Sequence, residues 1–357
     1  MTTVEADKTQ TTNGSRMTWS LSSDVEFYFA CAVLLIGVVG TAGNALILYA
    51  LVASKQHKKH VLIVNQNATD LFSSFFLVVT YALKLCNIHL TGALGYWLCM
   101  MLLGESLIWF GSNASFVNLA AIAVDRYLRV VHPIWSRKRL RPWMIHSAIA
   151  FSWLVGIVYN VALVFKTSAV MNGICYSYVF FDSDASRMAT GIFHVLFYYV
   201  IILVICIFCY GRILIAIRRQ ARVMSGHSAA AGPSTAPTHQ SNQIHSNVIK
   251  MMILVCTFFA VTQLLINAYI AMLAVDRDIT FVDARYYVSV FLSFLYTTTN
   301  PFIYATKFDP VRQILKGMIR CRKNSTQPTD DRGNAETRRR AVRKVNESNV
   351  DEINVKF

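Results

Sequence analysis

Residues 197–210 read FYYVIILVICIFCY, and residues 30–40 read ACAVLLIGVVG. Neither alternates polar with apolar residues as a barrel strand would, and both are apolar on every side, a pattern that suits helices surrounded by lipid. Each lies in a longer stretch free of Asp, Glu, Lys and Arg, 188–211 and 27–54, and the stretches 142–165, 251–275 and 286–306 share that property. Two more blocks carry one acid each: 60–83 contains Asp70, and 85–124 contains Glu105. A helix needs roughly 20 apolar residues to cross a bilayer, and lipid admits only helices or closed barrels because nothing else satisfies the backbone there. The composition agrees: 55% of residues are hydrophobic and 15% charged, against about 25% charged in soluble domains. The expected fold is an all-α membrane protein, a bundle of seven transmembrane helices at about 25–53, 61–85, 98–130, 143–165, 188–217, 247–274 and 282–306.

Charge sets the orientation. With residues 1–24 outside as an extracellular tail, 27 of the 34 Lys and Arg fall in inner loops and the C-terminal end, as the positive-inside rule requires. The net charge of +15 therefore points to anionic lipid headgroups rather than nucleic acid. Residues 1–24 lack the apolar core of a cleaved signal peptide, so the first span is expected to direct its own insertion. Asn13 begins a glycosylation sequon in that tail. The segment 225–246 is poor in charge and large apolar groups and reads as a flexible third inner loop, and 322–357 as a disordered cytoplasmic tail. Asp309 and Pro310 would start a short amphipathic helix over 309–320, its apolar face on the inner leaflet.

The spans carry one distinctive group each, in order: Gly43-Asn44 in the first, Asn65-Gln66-Asn67-Ala68-Thr69-Asp70 in the second, Asp125-Arg126-Tyr127 ending the third, Trp153 in the fourth, Cys209-Tyr210 in the fifth and Asn300-Pro301-Phe302-Ile303-Tyr304 in the seventh. Asp70 is an ionisable group near mid-membrane, a functional candidate by default; the alternative is a protonated carboxyl hydrogen-bonded to polar neighbours. Arg126 cannot deprotonate and must find a partner, with Asp125 next to it. Pro301 is the one proline of seven inside a span, where it frees a carbonyl and kinks the helix.

Over residues 25–321 this ordered set resembles the rhodopsin-like (class A) G-protein-coupled receptors. The resemblance implies a plasma-membrane receptor, not an enzyme, that binds an extracellular ligand and activates heterotrimeric G proteins. It implies that Asp125 and Arg126 form a resting lock, and that Arg126, with Tyr127, Tyr210, Asn300, Pro301 and Tyr304, serves activation. It further implies a sodium ion held by Asp70, Ser115 and Asn300, a disulfide between Cys99 and Cys175, and palmitoylation of Cys321. Cys99 precedes Arg126 by 27 residues, about two more than the family pattern, so the third helix would carry a bulge or begin with a loop.

Other positions depart from the family. Gln263 stands where a tryptophan is usual in the sixth span, and Leu265 and Ile202 stand where prolines are usual in the sixth and fifth. Ile108 replaces the aspartate of amine receptors, and Phe294 the retinal-linking lysine of opsins. The ligand pocket is expected around Glu105, Ile108, Trp109, Gln263 and Phe294. Glu105 either meets a cationic ligand group or pairs with Lys84 or Lys166. Among other classes, a seven-helix transporter or channel would need more buried charges or internal repeats than this sequence offers, and a receptor-like protein that no longer signals is a further alternative. No phosphate-binding loop, metal cluster or nucleophile with a paired base suggests an enzyme.

Overall fold

The computed structural model describes residues 23–86, 88–177, 181–228, 236–276, 284–308 and 311–318; for 23, 221–228 and 236–248 it describes the backbone alone. Asn13, Asp309, Pro310, Cys321 and the tail 322–357 lie outside the described residues. The helices are α1 Ser23–Ala53, α2 Val61–Leu85, α3 Gly92–Leu98, α4 Ser106–Val131, α5 Pro133–Arg139, α6 Pro142–Thr167, α7 Asp184–Val195, α8 Ile201–Ser228, α9 Ala236–Val275 and α10 Ala284–Lys307. Residues 311–318 form a further helix, α11.

Among the described residues, six spans satisfy length and apolarity together: α1, α2, α3 continued by α4, α6, α7 continued by α8, and α9. The seventh, α10, is more polar, and the reason is its buried face, which carries Ser289, Ser293, Thr297, Thr298 and Asn300. Polar groups in a membrane helix turn toward the bundle, where partners exist. An apolar cluster toward the outer side joins Val33 and Ile36 of α1, Leu77 and Tyr81 of α2, Ile108 of α4, Ile266 of α9, and Val290 and Phe294 of α10. Lipid covers what remains apolar outside, such as Leu154 on α6 and Ile207 on α8, both more than half exposed.

The third span takes up its two surplus residues. Between α3 and α4 lies a π-helical turn, Cys99–Leu103, in which Gly104 N donates to Cys99 O at 2.9 Å. Glu105 then adopts φ +59°, a left-handed conformation that starts a new helix. The bulge is thus combined with a break. Upstream of it, Cys99 bonds Cys175 (Cα–Cα 5.3 Å), while Cys86 is a free, exposed thiol. Cys175 sits on a hairpin of strands β1 Ala169–Met171 and β2 Ile174–Tyr176, antiparallel with Val170 opposite Cys175. Asn172 and Gly173 turn it at φ +53° and +77°, the two left-handed residues that a tight two-residue hairpin needs.

A second π-helical turn, Leu196–Val200, joins α7 to α8 just before Ile202, so the fifth span is irregular there without a proline. The expected loop at 225–246 is corrected on both sides: α8 runs to Ser228 and α9 begins at Ala236. Once a span has nucleated a helix, adding each further residue costs little, and Pro237 falls in the first turn of α9, where proline is tolerated.

Candidate functional site

A cavity of about 110 Å³ opens between α4, α6, α7, α9 and α10 toward the outer side, walled by Trp109, Tyr159, Leu163, Ile266, Ile270 and Leu273, with Arg187, Thr190 and His194 on one face of α7. Of the five residues expected to line a ligand pocket, Trp109 does so. Ile108 and Phe294 belong instead to the apolar cluster, 1% and 2% exposed, because the break at Glu105 turns Ile108 inward against α2 and α10. Gln263 is also buried: Ser293 Oγ donates to its Oε1 at 2.8 Å, and its Nε2 donates to Ser293 O at 3.2 Å. That reciprocal pair ties α9 to α10 at the level where a tryptophan would lie.

Glu105 pairs with Lys84. Its Oε1 accepts from Lys84 Nζ at 2.6 Å and Tyr81 Oη at 2.9 Å, and its Oε2 from Trp109 Nε1 at 3.3 Å. Lys166 is engaged elsewhere, 2.8 Å from Asp182. Of the two alternatives open in the sequence, the structure favours the internal pair: a left-handed non-glycine residue is costly, and three donors hold it in place.

Deeper in the bundle, a chain of hydrogen bonds runs from α6 to Asp70. Trp153 Nε1 donates to Asn65 Oδ1 at 2.9 Å, Asn65 Nδ2 to Asn118 Oδ1 at 2.9 Å, and Asn118 Nδ2 to Gln66 Oε1 at 2.8 Å. Gln66 Nε2 donates to Ser115 Oγ, and Ser115 Oγ to Asp70 Oδ1 at 2.7 Å. From the other side Asn300 Nδ2 donates to Asp70 Oδ2 at 2.7 Å. Asp70, Ser115 and Asn300 are thus brought together; Asn300 Oδ1 has no partner among the described residues, while the carboxylate oxygens are already occupied by donors. A hard cation needs a shell of oxygen lone pairs, whereas Ser115 and Asn300 both turn hydrogens toward the carboxylate, and Gln66 turns its amide onto the Ser115 oxygen. Beside this, Phe116, Phe259 and Tyr296 meet edge to face, with centroids 5.1 to 5.7 Å apart.

At the inner end Asp125 accepts from Arg129 Nε at 2.8 and 3.0 Å. Arg126 stands farther, its Nε 3.7 Å from Asp125 Oδ2, with Nη2 3.3 Å from His60 Nδ1. The expected lock is therefore shared: Arg129, one turn on, directs its one Nε–H at both carboxylate oxygens, and Arg126 is held more loosely. Tyr127 Oη lies 3.1 Å from His132 Nε2. Tyr210 and Tyr304 are buried, 5% and 0% exposed, and Pro301 sits inside α10 as expected.

Sequence reasoning missed Tyr159, Asn160, Arg187 and His194 around the cavity. The available signal was the 3-1-3 spacing of Arg187, Thr190, Gly191 and His194, which places them on one helical face. It also missed Asn118, whose polar side chain in a buried helix is the same kind of signal.

The sequence pattern of the 7 transmembrane receptor (rhodopsin family) matches residues 43–304. Among relatives, melanopsin of Felis catus is 24% identical over 242 residues, which cover 64% of this chain and 48% of that protein. The substance-P receptor of Cavia porcellus is 23% identical over 310 residues, 82% of this chain and 71% of that one. The chain spans about half the length of the melanopsins of Felis catus and Gadus morhua that it matches. The crystal structure of squid rhodopsin superimposes with a TM-score of 0.69 at 16% identity, covering 91% of this chain and 95% of that one, a likeness of fold alone. The match over most of the chain, together with the membrane-spanning helices, shows that this multi-pass membrane protein belongs to the rhodopsin family of seven-transmembrane receptors.

Proposed function

We propose that the chain binds an extracellular ligand in the cavity between α4, α6, α7, α9 and α10 and, when bound, activates a heterotrimeric G protein at its inner face. The observation that carries this reading is Arg126. Its side chain is 12% exposed, its charge is permanent, and its nearest acid stands at 3.7 Å while that acid is committed to Arg129. A guanidinium held so loosely is available to a partner that opens the inner ends of the helices. Tyr210 and Tyr304, buried close by on α8 and α10, supply further polar contacts to the opened face. Between the two ends, the Gln263–Ser293 clamp and the Phe116, Phe259 and Tyr296 rings link α9 to α4 and α10, so a ligand that shifts α9 outside has a packed route to the inside.

The test is Arg126→Ala in the full chain. Surface expression is retained, because the residue lies at the aqueous boundary, and nucleotide exchange on co-expressed G proteins falls to background across the major subtypes. Exchange at the wild-type level in that variant refutes the reading.

A further inference from the structure

We infer that the outer cavity selects a compact amphipathic anion, with an aromatic or apolar body, an acidic group at its outer end and a hydrogen-bonding group at its inner end. This rests on the receptor reading above and names the ligand class for the same cavity.

The polar groups of the wall set the class. Arg187 is the one permanently charged side chain among the described residues that line it. Its Nη1 donates to the carbonyls of Leu273 at 3.0 Å and Asp276 at 3.3 Å, which are neutral dipoles. The carboxylate near it, Asp184, stands 3.6 Å from Nη2 with 54% of its side chain exposed, whereas the Arg187 side chain is 14% exposed. The counter-charge is therefore water-screened and weak, and an acid presented from the enclosed side has the stronger field.

Two turns farther in, His194 lies between Tyr159 and Tyr198, ring centroids 5.8 and 5.3 Å away. Among the described residues its ring nitrogens have no hydrogen-bond partner, and it faces the cavity. A polar nitrogen in an apolar setting gains from a partner that the cavity can admit. The neighbouring polar groups are already engaged: Asn160 Nδ2 donates to Gly156 O at 2.7 Å and Thr190 Oγ1 to Ser186 O at 2.8 Å. Arg187 and His194 are seven residues apart on one face of α7, which separates them by about 10 Å along the axis.

The space between them suits one ring. The volume of about 110 Å³ is bounded by Trp109, Tyr159, Ile266 and Ile270. At Gly191 a Cβ would stand 2.5 Å from that of Ala274, so α7 and α9 close against each other there. A cation is disfavoured: Arg187 repels it, and Glu105, which lies behind Trp109, already holds Lys84 and Tyr81.

The experiment titrates the purified full-length receptor with 4-(4-hydroxyphenyl)butyrate, its carboxamide and the corresponding primary amine, reading apparent melting temperature and tryptophan fluorescence. Binding to the folded state raises the melting temperature. The acid is expected to give a saturable shift, the amide to bind at least about tenfold more weakly for want of a charge-assisted contact, and the amine to give no shift. Asp184→Asn removes a water-screened carboxylate from outside the cavity and should tighten the acid by no more than about threefold. His194→Phe should weaken the phenolic acid while sparing 4-phenylbutyrate, which lacks the hydroxyl. Because Arg187 also caps α9, Arg187→Gln is paired with Arg187→Lys, which retains the preference for acid over amide. Equal shifts from acid, amide and amine, or no shift from any of them, overturns the inference. None of these readouts involves a G protein, so failure here leaves the Arg126 test standing, and failure there leaves the binding result standing.

Discussion

Glu105 combines two opposing quantities, a left-handed backbone at φ +59° and three hydrogen bonds from its carboxylate, and substitution separates them. Glu105→Ala removes the bonds and keeps the strain. Tyr81 is 3% exposed, so its hydroxyl is left buried and unpaired at a cost of about 1–3 kcal/mol. Lys84 is about one third exposed, and losing that pair costs under about 1 kcal/mol; the longer Trp109 contact adds less. The total is about 3 kcal/mol. Glu105→Gly loses the same bonds but relieves a left-handed penalty of about 1–2 kcal/mol, offset by about 0.5–1 kcal/mol of extra chain entropy. Glycine should therefore be the milder replacement by about 0.5–1 kcal/mol, although it removes one more carbon. At about 2–4 °C per kcal/mol, the alanine variant melts about 6 °C or more below wild type and the glycine variant recovers about 1–4 °C of that. The assay is a thermal ramp of detergent-solubilised receptor at fixed scan rate, since unfolding of such proteins is irreversible. A glycine variant no more stable than the alanine variant would show that the backbone there is not strained.

Asn118→Leu leaves Asn65 Nδ2 and Gln66 Oε1 without their partner and should destabilise the bundle by about 2–4 kcal/mol, read in the same ramp; a loss below 1 kcal/mol would mean that the chain rearranges around the gap. Replacing potassium by sodium at constant ionic strength should leave the melting temperature and basal nucleotide exchange unchanged, and a sodium-specific shift abolished by Asp70→Asn would contradict the donor arrangement around that carboxylate. Gln263→Leu keeps the volume but removes both bonds to Ser293, freeing α9 from α10, so basal exchange should rise severalfold at matched expression; unchanged basal exchange would take this clamp off the activation route.

Much of the architecture was legible because lipid makes a coarse demand. A run such as FYYVIILVICIFCY has few folds open to it in a bilayer, and the second span ends at Val61 and Leu85 as read from the sequence. What escaped reading was backbone irregularity. The surplus residues before Arg126 signalled a defect, but a π-helical turn, a break and a loop all absorb them, and the bonds around Glu105 decide among these only in three dimensions. The hairpin carried a local signal in Asn172-Gly173 that was overlooked beside the aromatic residues after it. Around the site, the family resemblance grouped Asp70, Ser115 and Asn300, and the fold brings them together through the hydrogen bonds to the carboxylate. The pocket was misjudged because Ile108 follows the break at once, and its face is set by the left-handed residue three positions earlier.

The indole of Trp153 can only donate, and this has a consequence for the whole interior. Its N–H obliges Asn65 to turn a carbonyl toward α6; the amide must then point its hydrogens at Asn118, and each subsequent group is left one permitted orientation until the sequence terminates on Asp70. Polarity at the centre of the membrane is thus dictated from a helix whose outer face touches lipid. The direction is held at the far end as well, because Asn118 Nδ2 also donates to the Leu62 carbonyl at 3.0 Å and the Asp70 carboxylate can only accept. A residue at 153 unable to donate, such as phenylalanine, would therefore leave the Asn65 carbonyl without its partner on α6 while the orientation of every later group stayed as it is.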